Sequence, residues 1–240
     1  MSLRIGFDID GVVADFLTAF SEVASQVLSW KHRGTIADLK ELSEGDTRKV
    51  WKVITGTPNW WLTLKPYEAN ALAQLYRLSR ELKWEVVFMT TRVPTAGETV
   101  LFQSQWWLES QGFYLPSVVT VPGSRGDLAN SLRLDLLVDD QLMNCADVIG
   151  ASQTKALLML RHPRPSIREQ AVNAGIGVVE NIQEAVEILH RLHALAPDRR
   201  RSLTRLTDWF FGGTRQEPEL TLPENPRQAR PLPDTERPRE

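Results

Sequence analysis

The strongest constraint on the fold is an alternation between short apolar runs and amphipathic stretches along most of the chain. Six runs have the length of a buried β-strand, and several of the stretches between them repeat their apolar residues with the period of a helix. This alternation is typical of βαβ units, whose strands form a parallel sheet. It predicts an α/β fold, with a Rossmann-like parallel sheet and helices on both faces. The six runs are residues 4–7, 84–90, 117–121, 134–140, 155–160 and 176–179.

Residues 16–66, between the first two apolar runs, do not follow this alternation. Two or three helical patterns succeed one another there without a strand-like run between them. We therefore predict a small helical cap inserted after the first strand. The cap contains half of the eight tryptophans of the chain, namely Trp30, Trp51, Trp60 and Trp61.

The remaining boundaries follow from the same patterns. Residues 1–15 and 67–197 are predicted to form the core of the fold, on either side of the inserted cap. Residues 198–214 are predicted to form a C-terminal helix. Residues 215–240 are rich in proline and mixed charge, and they have too few large apolar side chains to offset the entropy lost on ordering. We predict a disordered tail there.

The composition argues against several classes of function. Although 42% of the residues are hydrophobic, no apolar run approaches the roughly 20 residues of a membrane span, so we expect no membrane partner. Charge at Arg4 and Asp8 interrupts any signal-peptide pattern, and the single cysteine, Cys145, agrees with a reducing compartment, so we expect a cytoplasmic protein. The net charge of −2 gives no overall field for a nucleic-acid backbone, so polymeric DNA or RNA is not an expected partner.

Two carboxylates follow the first strand at a spacing suited to phosphoryl transfer. In Asp8-Ile9-Asp10-Gly11 the glycine lets the backbone turn sharply after the second acid. One carboxylate can attack phosphorus and hold Mg²⁺, while the other protonates the leaving oxygen and later takes a proton from water. The alternative is a surface turn, which is the commoner origin of such a tetrapeptide.

The next two strands end in groups that can bind phosphate. The carboxyl ends of parallel strands share one edge of the sheet, where ligands bind. The second run ends in Thr90, and Thr91 and Arg92 follow it. A threonine hydroxyl and the backbone N–H groups after it can cradle phosphate oxygens. The third is followed by a glycine-flanked loop, predicted at residues 122–127, that offers Arg125 as a cation for the phosphate. The alternatives are a threonine at a strand end and a solvated loop with one arginine.

The fourth run ends in two adjacent acids, Asp139 and Asp140, directly after the apolar sequence LDLLV. Carboxylates in such a place are costly unless a metal ion or hydrogen-bond donors meet them. The alternative is an N-cap for the following helix, which explains one acid better than two.

Together these residues resemble the four motifs of the haloacid-dehalogenase superfamily of phosphatases. The superfamily has a Rossmann-like core, and the resemblance covers about residues 4–150. The matching residues follow strand ends in the order Asp8-x-Asp10-Gly11-Val12, Thr90, a basic residue and Asp139-Asp140. More narrowly, the chain resembles the 5′-nucleotidase, deoxy (pyrimidine) type branch, the deoxyribonucleotidases, which have a small helical cap after the first motif. The matching sequences are FDIDGVVADF, Trp60-Trp61 before Pro66, MTTR and GDLANSLRLDLLVDD.

The resemblance implies a role for each residue of the motifs. Asp8 would be the nucleophile that becomes an aspartyl phosphate, and Asp10 would be the general acid and base. Mg²⁺ would be held by Asp8, the main-chain carbonyl of Asp10 and Asp139, with Asp140 supporting it through water. Thr90 would hold the phosphate.

Two parts of the resemblance leave alternatives open. The third motif of the family usually carries a lysine, whereas the best-placed cation here is Arg125, which is larger and binds phosphate through a planar fork. Deoxyribonucleotidases stack the base on aromatic side chains of the cap and the first helix, and Phe16, Trp60 and Trp61 match those places. These aromatic side chains are equally expected to form the core of the cap.

The resemblance thus predicts a Mg²⁺-dependent phosphomonoester hydrolase that acts through an aspartyl phosphate. A nucleoside monophosphate or deoxynucleotide is the leading substrate class, and a non-nucleotide metabolite is the alternative. The rival from another class is a non-catalytic relative that binds a phosphorylated ligand or a protein partner. The Asp8 and Asp10 pair argues against this rival, while Arg125 and the long tail leave it open. A homodimer also stays open.

Overall fold

Six parallel strands form the central sheet of the computed structural model. The structure describes residues 2–28, 41–121 and 123–194. The strands are β1 (Arg4–Asp8), β2 (Glu85–Thr90), β3 (Ser117–Thr120), β4 (Leu136–Asp139), β5 (Lys155–Met159) and β6 (Gly177–Val179). Their order across the sheet is β3-β2-β1-β4-β5-β6. Each strand lies within or overlaps one of the six apolar runs, so the predicted α/β fold is confirmed.

Eight α-helices and one 3₁₀-helix connect or follow these strands within the described residues. They are α1 (Phe16–Val27), α2 (Glu44–Gly56), the 3₁₀-helix (Trp60–Thr63), α3 (Ala71–Glu81), α4 (Val100–Ser110), α5 (Arg125–Leu132), α6 (Leu142–Ala151), α7 (Pro165–Asn173) and α8 (Ile182–Ala194). Five begin at a side chain that accepts a backbone N–H of the first turn, namely Asp15, Ser43, Thr99, Ser124 and Asn181.

The direction in which the chain crosses the sheet reverses between β1 and β4. From β1 the chain moves outward through β2 to β3, then returns to the other side of β1 and continues outward through β5 to β6. Because crossovers between parallel strands are right-handed, the crossover helices α3 and α4 lie on one face of the sheet, and α5, α6 and α7 lie on the other. Accordingly α5 packs against α6, whereas α8, which follows the last strand, packs against α3. The carboxyl ends of β1 and β4 therefore flank the switch point of the sheet, where open α/β sheets bind their ligands.

The predicted cap region contains helices and no strand within its described residues, 16–28 and 41–66. The chain leaves and re-enters the core at one place, because the N–H of Asp15 donates to the carbonyl of Lys65 at 2.8 Å. An antiparallel bridge between Ala14 and Pro66 lies beside this hydrogen bond. The entry to the insertion is therefore only a few residues from Asp10.

Several predictions lie outside the described residues. These are the C-terminal helix at 198–214, the tail at 215–240 and the part of the cap that contains Trp30. Within the described ranges, the search for a helix with the length and hydropathy needed to span a bilayer finds none.

Candidate active site

Asp8, Asp139 and Arg125 lie together at the carboxyl edge of the sheet. Asp8 is the last residue of β1 and Asp139 the last of β4, and their exposed fractions are 5% and 0%. Arg125 lies between them, with its Nη2 donating to Asp8 Oδ1 at 2.5 Å and its Nε 3.6 Å from Asp139 Oδ2. Three residues predicted from separate strand ends thus form one buried cluster.

Arg125 reaches this cluster from the start of a helix, which corrects the loop predicted at residues 122–127. Arg125 is the first residue of α5, and Ser124 caps the helix by accepting the N–H of Asp127 at 3.0 Å. The spacing Ser-x-x-Asp before a helix is a capping pattern that the sequence contained. Pro122 lies outside the described residues. The basic residue is therefore held on a fixed helix instead of a solvated loop.

The carboxylate of Asp147, on α6, fixes the start of α5. Its Oδ2 accepts the hydroxyl of Ser124 at 2.9 Å and the N–H of Gly126 at 2.8 Å. The backbone hydrogen bond from Gly126 is the main reason that the pKa of Asp147 is lowered. A Cβ atom on Gly126 would lie 2.5 Å from the carbonyl oxygen of Asp147, so only glycine permits this approach of the two helices. Sequence reasoning missed Asp147.

The acids of the cluster disfavour one another's ionised forms. Burial, and then the charge of Asp139, raise the pKa of Asp8 well above its ordinary value, although Arg125 opposes this shift. Burial also raises the pKa of Asp139, with Arg125 again opposing. Limited hydration, and then Asp139, raise the pKa of Asp140 to about 7. Since a nearby cation would relieve this repulsion, the edge is electrostatically suited to bind one.

Arg125 has one nitrogen that no protein group satisfies within the described structure. Its Nη1 is buried and lacks a hydrogen-bond partner there. Buried guanidinium N–H groups are nearly always paired, so this one, beside the Asp8 carboxylate, is available to an acceptor from water or from a ligand. An oxygen of a phosphate group is such an acceptor.

Asp139 has two further partners that sequence reasoning did not identify. Its Oδ1 accepts the N–H of Gln141 at 2.8 Å, and Asn144 Nδ2 donates to the same oxygen at 3.0 Å. The signal was an asparagine in the first turn of the helix that follows the two acids. These bonds fix the orientation of the Asp139 carboxylate.

The turn after β1 requires glycine at position 11. Gly11 has a φ of +87°, in the left-handed region, and a Cβ atom there would lie 2.2 Å from Asp140 Oδ2. The same Asp140 oxygen accepts Gln141 Nε2 at 2.9 Å. Gly11 thus lets the backbone after Asp10 pass directly against the Asp140 side chain, which brings the first and fourth sequence motifs into contact.

The three residues predicted to bind phosphate at the end of β2, Thr90, Thr91 and Arg92, have different surroundings in the structure. Thr90, the last residue of β2, is 1% exposed, and its hydroxyl donates to Asp10 Oδ2 at 3.3 Å. Thr91 is exposed. The guanidinium of Arg92 points to Asp10, because its Nε donates to Oδ2 and its Nη2 to Oδ1, each at 2.8 Å.

The remaining contacts of Arg92 also lie within the protein. Its Nη1 donates to the hydroxyl of Ser104 on α4 at 3.0 Å. Its guanidinium carbon lies 4.7 Å from the ring centre of Trp61, a cation–π contact. The side chain is also 0% exposed, so the guanidinium is committed to protein partners, while the predicted contact of a phosphate with the backbone N–H of Arg92 stays a prediction.

The aromatic side chains of the insertion pack against one another. Trp60 and Trp61 are 4% and 2% exposed, and their ring centres lie 4.9 Å apart. Phe16, which is only partly buried, stacks at 5.9 Å on Trp51 and at 6.0 Å on Trp61. For Trp60 and Trp61 the geometry favours the alternative that they form the core of the cap, whereas Phe16 keeps an exposed surface.

Arg161 lies at another strand end, just beyond β5, and sequence reasoning overlooked it. Its Nε donates to the carbonyl of Gly11 at 3.2 Å, and its Nη2 donates to the carbonyl of Val12. Its Nη1 pairs with Glu68 Oε1 at 2.6 Å, and its guanidinium lies on the ring of Tyr67. The same rule of reading strand ends would have found it. Arg161 holds together the two chain segments that lead into and out of the insertion.

The donor set at the edge fits a hard divalent cation. The buried carboxylates of Asp8 and Asp139 offer the oxygen ligands that Mg²⁺ prefers, and burial raises the pKa of both, which a bound cation would oppose. Within the described residues, no three His, Cys, Asp or Glu side chains converge as a ready cluster. The reason is visible in the contacts, since Asp10 is turned to Arg92 and Asp140 to Gln141.

No protein-family model matches the sequence, and no curated protein sequence matches it. Solved structures do match the fold. A hydrolase of the haloacid-dehalogenase (HAD) family from Deinococcus radiodurans, with bound phosphate and sodium, aligns with a TM-score of 0.55 and 14% identity, covering 81% of this chain and 97% of that one. A predicted phosphatase from Clostridium acetobutylicum aligns with a TM-score of 0.51 and 14% identity, covering 79% and 99%.

A third solved structure, a haloacid-dehalogenase-like hydrolase from Streptococcus pneumoniae, aligns with a TM-score of 0.51 and 11% identity, covering 78% of this chain and 98% of that one. At such identities the likeness concerns the fold. The chain therefore has the fold of haloacid-dehalogenase-type hydrolases, as the sequence motifs predicted, and nearly the whole length of each of these proteins is matched.

Proposed function

We propose that this protein is a Mg²⁺-dependent phosphomonoester hydrolase that acts through an aspartyl phosphate on Asp8. The observation that carries the proposal is the pairing of the Asp8 carboxylate with Arg125, whose buried Nη1 has no protein partner in the described structure. A nucleophile and an unsatisfied anion-binding donor at one strand end are what phosphoryl transfer requires. The fold shared with known hydrolases supports the same conclusion.

In the first step a carboxylate oxygen of Asp8 attacks phosphorus. The new bond joins this oxygen to phosphorus, the bond between phosphorus and the leaving oxygen breaks, and the leaving oxygen takes the proton of Asp10. Arg125 Nη1 is the donor available to a phosphate oxygen, and the hydroxyl of Thr90 can serve as a second donor when it gives up its hydrogen bond to Asp10 Oδ2. The products are an alcohol and the acyl phosphate of Asp8.

In the second step water attacks the phosphorus of the acyl phosphate. The Asp10 carboxylate takes a proton from this water, and the bond between phosphorus and Asp8 breaks. Inorganic phosphate leaves, Asp8 becomes a carboxylate again, and Asp10 is protonated for the next cycle. Each residue thus returns to its starting state.

The proposed Mg²⁺ ligands are the carboxylates of Asp8 and Asp139 and the main-chain carbonyl of Asp10, with Asp140 in support through water. A bound Mg²⁺ supplies positive charge that offsets the repulsion between the acids and the phosphate. Arg125 shares this task, since it already pairs with Asp8 and lies near Asp139. The remaining partners of Asp139, Gln141 and Asn144, hold its carboxylate in place for either cation.

A nucleoside monophosphate is the substrate class that we propose first. The sequence resemblance to deoxyribonucleotidases supports it, and so does Phe16, an aromatic residue at the start of the insertion that is only partly buried. An exposed aromatic face can stack on a nucleobase. A metabolite phosphate without a base is the alternative, and it needs no such contact.

Release of inorganic phosphate from a panel of phosphomonoesters, with Mg²⁺ and with chelator, tests the proposal. The panel contains ribonucleotides, deoxyribonucleotides, sugar phosphates and an aryl phosphate. We expect Mg²⁺-dependent release, with nucleotides ahead of the sugar phosphates. Equal release in chelator would overturn the metal assignment. No release from any ester would favour a non-catalytic protein that binds a phosphorylated ligand.

A further inference from the structure

The two carboxylate oxygens of Asp10 accept different numbers of hydrogen bonds. Asp10 Oδ2 accepts two hydrogen bonds, from Arg92 Nε at 2.8 Å and from Thr90 Oγ1 at 3.3 Å. Asp10 Oδ1 accepts one hydrogen bond from Arg92 Nη2, at 2.8 Å. One oxygen of the carboxylate is therefore anchored twice and the other once.

These bonds fix the plane and the direction of the Asp10 carboxylate. A rigid, planar guanidinium that bonds both oxygens keeps the carboxylate from rotating, and Thr90 adds a second anchor at Oδ2. Oδ1 is therefore the oxygen with fewer protein partners.

Arg92 is itself held rigidly from two further directions. Ser104 on α4 accepts its Nη1 at 3.0 Å, and Trp61 of the 3₁₀-helix lies under its guanidinium. Trp61 is fixed in turn, because its indole N–H donates to the carbonyl of Val93 at 2.9 Å. A buried arginine with 0% side-chain exposure and these supports cannot reorient freely.

We infer that Arg92 is a positioning residue that aims the Asp10 carboxyl at the leaving oxygen and links its orientation to the inserted helices through Trp61. The inference rests on the proposed phosphatase function, in which Asp10 transfers the protons. The guanidinium acts through Asp10 and does not contact the substrate. The sequence prediction concerned the backbone N–H of Arg92, so it is a separate role.

The test uses the chemistry of the leaving group. An alkoxide leaves slowly unless it is protonated, whereas a nitrophenolate leaves well without a proton. In Arg92→Lys the charge is kept but the two-point fork is lost. We expect kcat/KM, which reports phosphorylation of Asp8 and excludes the later hydrolysis, to fall about 10²-fold for an alkyl phosphate and less than about fivefold for nitrophenyl phosphate. Only the alkyl leaving group needs the proton of Asp10 in that step.

A matched control and a double-mutant cycle separate positioning from general damage. Arg168→Lys alters another arginine paired with a carboxylate, at 2.6 Å from Glu180 on the surface, and should leave both activities within about twofold of wild type. In an Asp10→Asn background the further change Arg92→Lys should have little effect on either substrate, because the residue it positions is already disabled.

A second variant keeps the test informative if Arg92→Lys does not fold. Ser104→Ala removes one acceptor from the guanidinium and should reproduce the same leaving-group contrast at about tenfold. Equal losses for alkyl and aryl phosphates in the folded variant, or additive effects in the cycle, would overturn the positioning role. If wild type hydrolyses neither ester with Mg²⁺, the proposed function itself has failed, and the two failures are thereby distinguished.

Discussion

Two buried arginines at the same edge of the sheet differ in whether all their guanidinium nitrogens have hydrogen-bond partners. Arg92 is 0% exposed in its side chain, and its Nε, Nη1 and Nη2 all donate to protein oxygens. Arg125 is 5% exposed in its side chain, yet its Nη1 has no partner in the described structure. Every guanidinium nitrogen of Arg92 therefore has a protein acceptor, whereas one nitrogen of Arg125 has none within the described residues.

This difference teaches which cation is available to a substrate. A satisfied guanidinium would have to give up hydrogen bonds to bind phosphate, whereas an unsatisfied one gains a bond when phosphate arrives. Residue type alone does not distinguish the two roles, since both arginines follow strand ends in the sequence. The contacts of each side chain separate a ligand-binding arginine from one that orients a neighbouring carboxyl.

The largest effect is expected at Asp8, the proposed nucleophile, which pairs with Arg125. Asp8→Asn keeps the shape of the side chain but cannot attack phosphorus, so turnover should fall by roughly 10³-fold or more while the fold is retained. Steady-state phosphate release, with circular dichroism as the check on folding, measures this. Residual activity of more than a few per cent in a well-folded variant would show that Asp8 is not the nucleophile.

The second-largest effect is expected at Arg125, and it tests whether Arg125 and Arg92 have different roles. Arg125→Met removes the vacant donor and should lower kcat/KM about 10²-fold for alkyl and aryl phosphates alike, because the phosphate group is common to both. It should also weaken inhibition by inorganic phosphate, whereas Arg92→Lys should leave that inhibition nearly unchanged. Inhibition constants measured for both variants check this. Equal weakening in the two variants would remove the distinction drawn here.

The sequence predicted the sheet and the acids because both depend on local patterns. Each strand is a continuous apolar run, and its carboxyl end is visible as the next polar residue, which located Asp8, Thr90 and Asp139. The partner of a buried arginine is instead a long-range property. Arg92 donates hydrogen bonds to Ser104 and Asp10. Because Arg92 and Asp10 are 82 residues apart in the chain, no local sequence pattern predicts that they pair.

The aromatic cluster illustrates a second limit of sequence reasoning. Phe16, Trp60 and Trp61 all matched places expected to stack on a base, but spacing does not reveal which ring faces solvent. In the structure Trp60 and Trp61 are buried and Phe16 is only partly so. Burial is decided by how the inserted helices pack on the core, which depends on contacts between distant segments.

A smaller effect distinguishes an aromatic side chain that packs in the core from one that stacks on a nucleobase. Trp61→Ala should lower the free energy of unfolding by about 3–5 kcal/mol and impair every substrate, because the indole is core. Phe16→Ala should raise KM for a nucleotide roughly 5- to 150-fold and leave KM for a sugar phosphate nearly unchanged, if a base stacks there. Thermal unfolding beside kinetics on the two substrates measures both. Equal kinetic losses in Phe16→Ala would argue against a nucleotide pocket at this ring.

The smallest effect concerns the pH dependence of stability. The pKa of Asp140 is raised from its ordinary value of 3.8 to about 7, so between these pH values the folded state binds more protons than the unfolded state. The free energy of unfolding should therefore decrease as pH rises through this window in the presence of chelator. Mg²⁺ should restore stability above the window, where the carboxylates are ionised.

Melting temperatures at about pH 5 and about pH 8, each with chelator and with Mg²⁺, test this linkage. The variant Asp140→Asn should show a flatter dependence on pH in chelator, because its side chain does not titrate. A melting temperature that rises with pH in chelator for the wild-type chain would contradict the assigned direction of the shift.

The central claim is that Asp8 accepts the phosphoryl group, and trapping the phosphorylated chain tests it most directly. In Asp10→Asn the attack on an aryl phosphate survives while hydrolysis of the acyl phosphate slows, so the intermediate should accumulate. Rapid acid quench followed by peptide mass spectrometry should find one phosphoryl group on the peptide that contains Asp8, and none in the double variant with Asp8→Asn. Phosphate on another residue, or an unmodified Asp8 peptide in an enzyme that still turns over, would contradict the account.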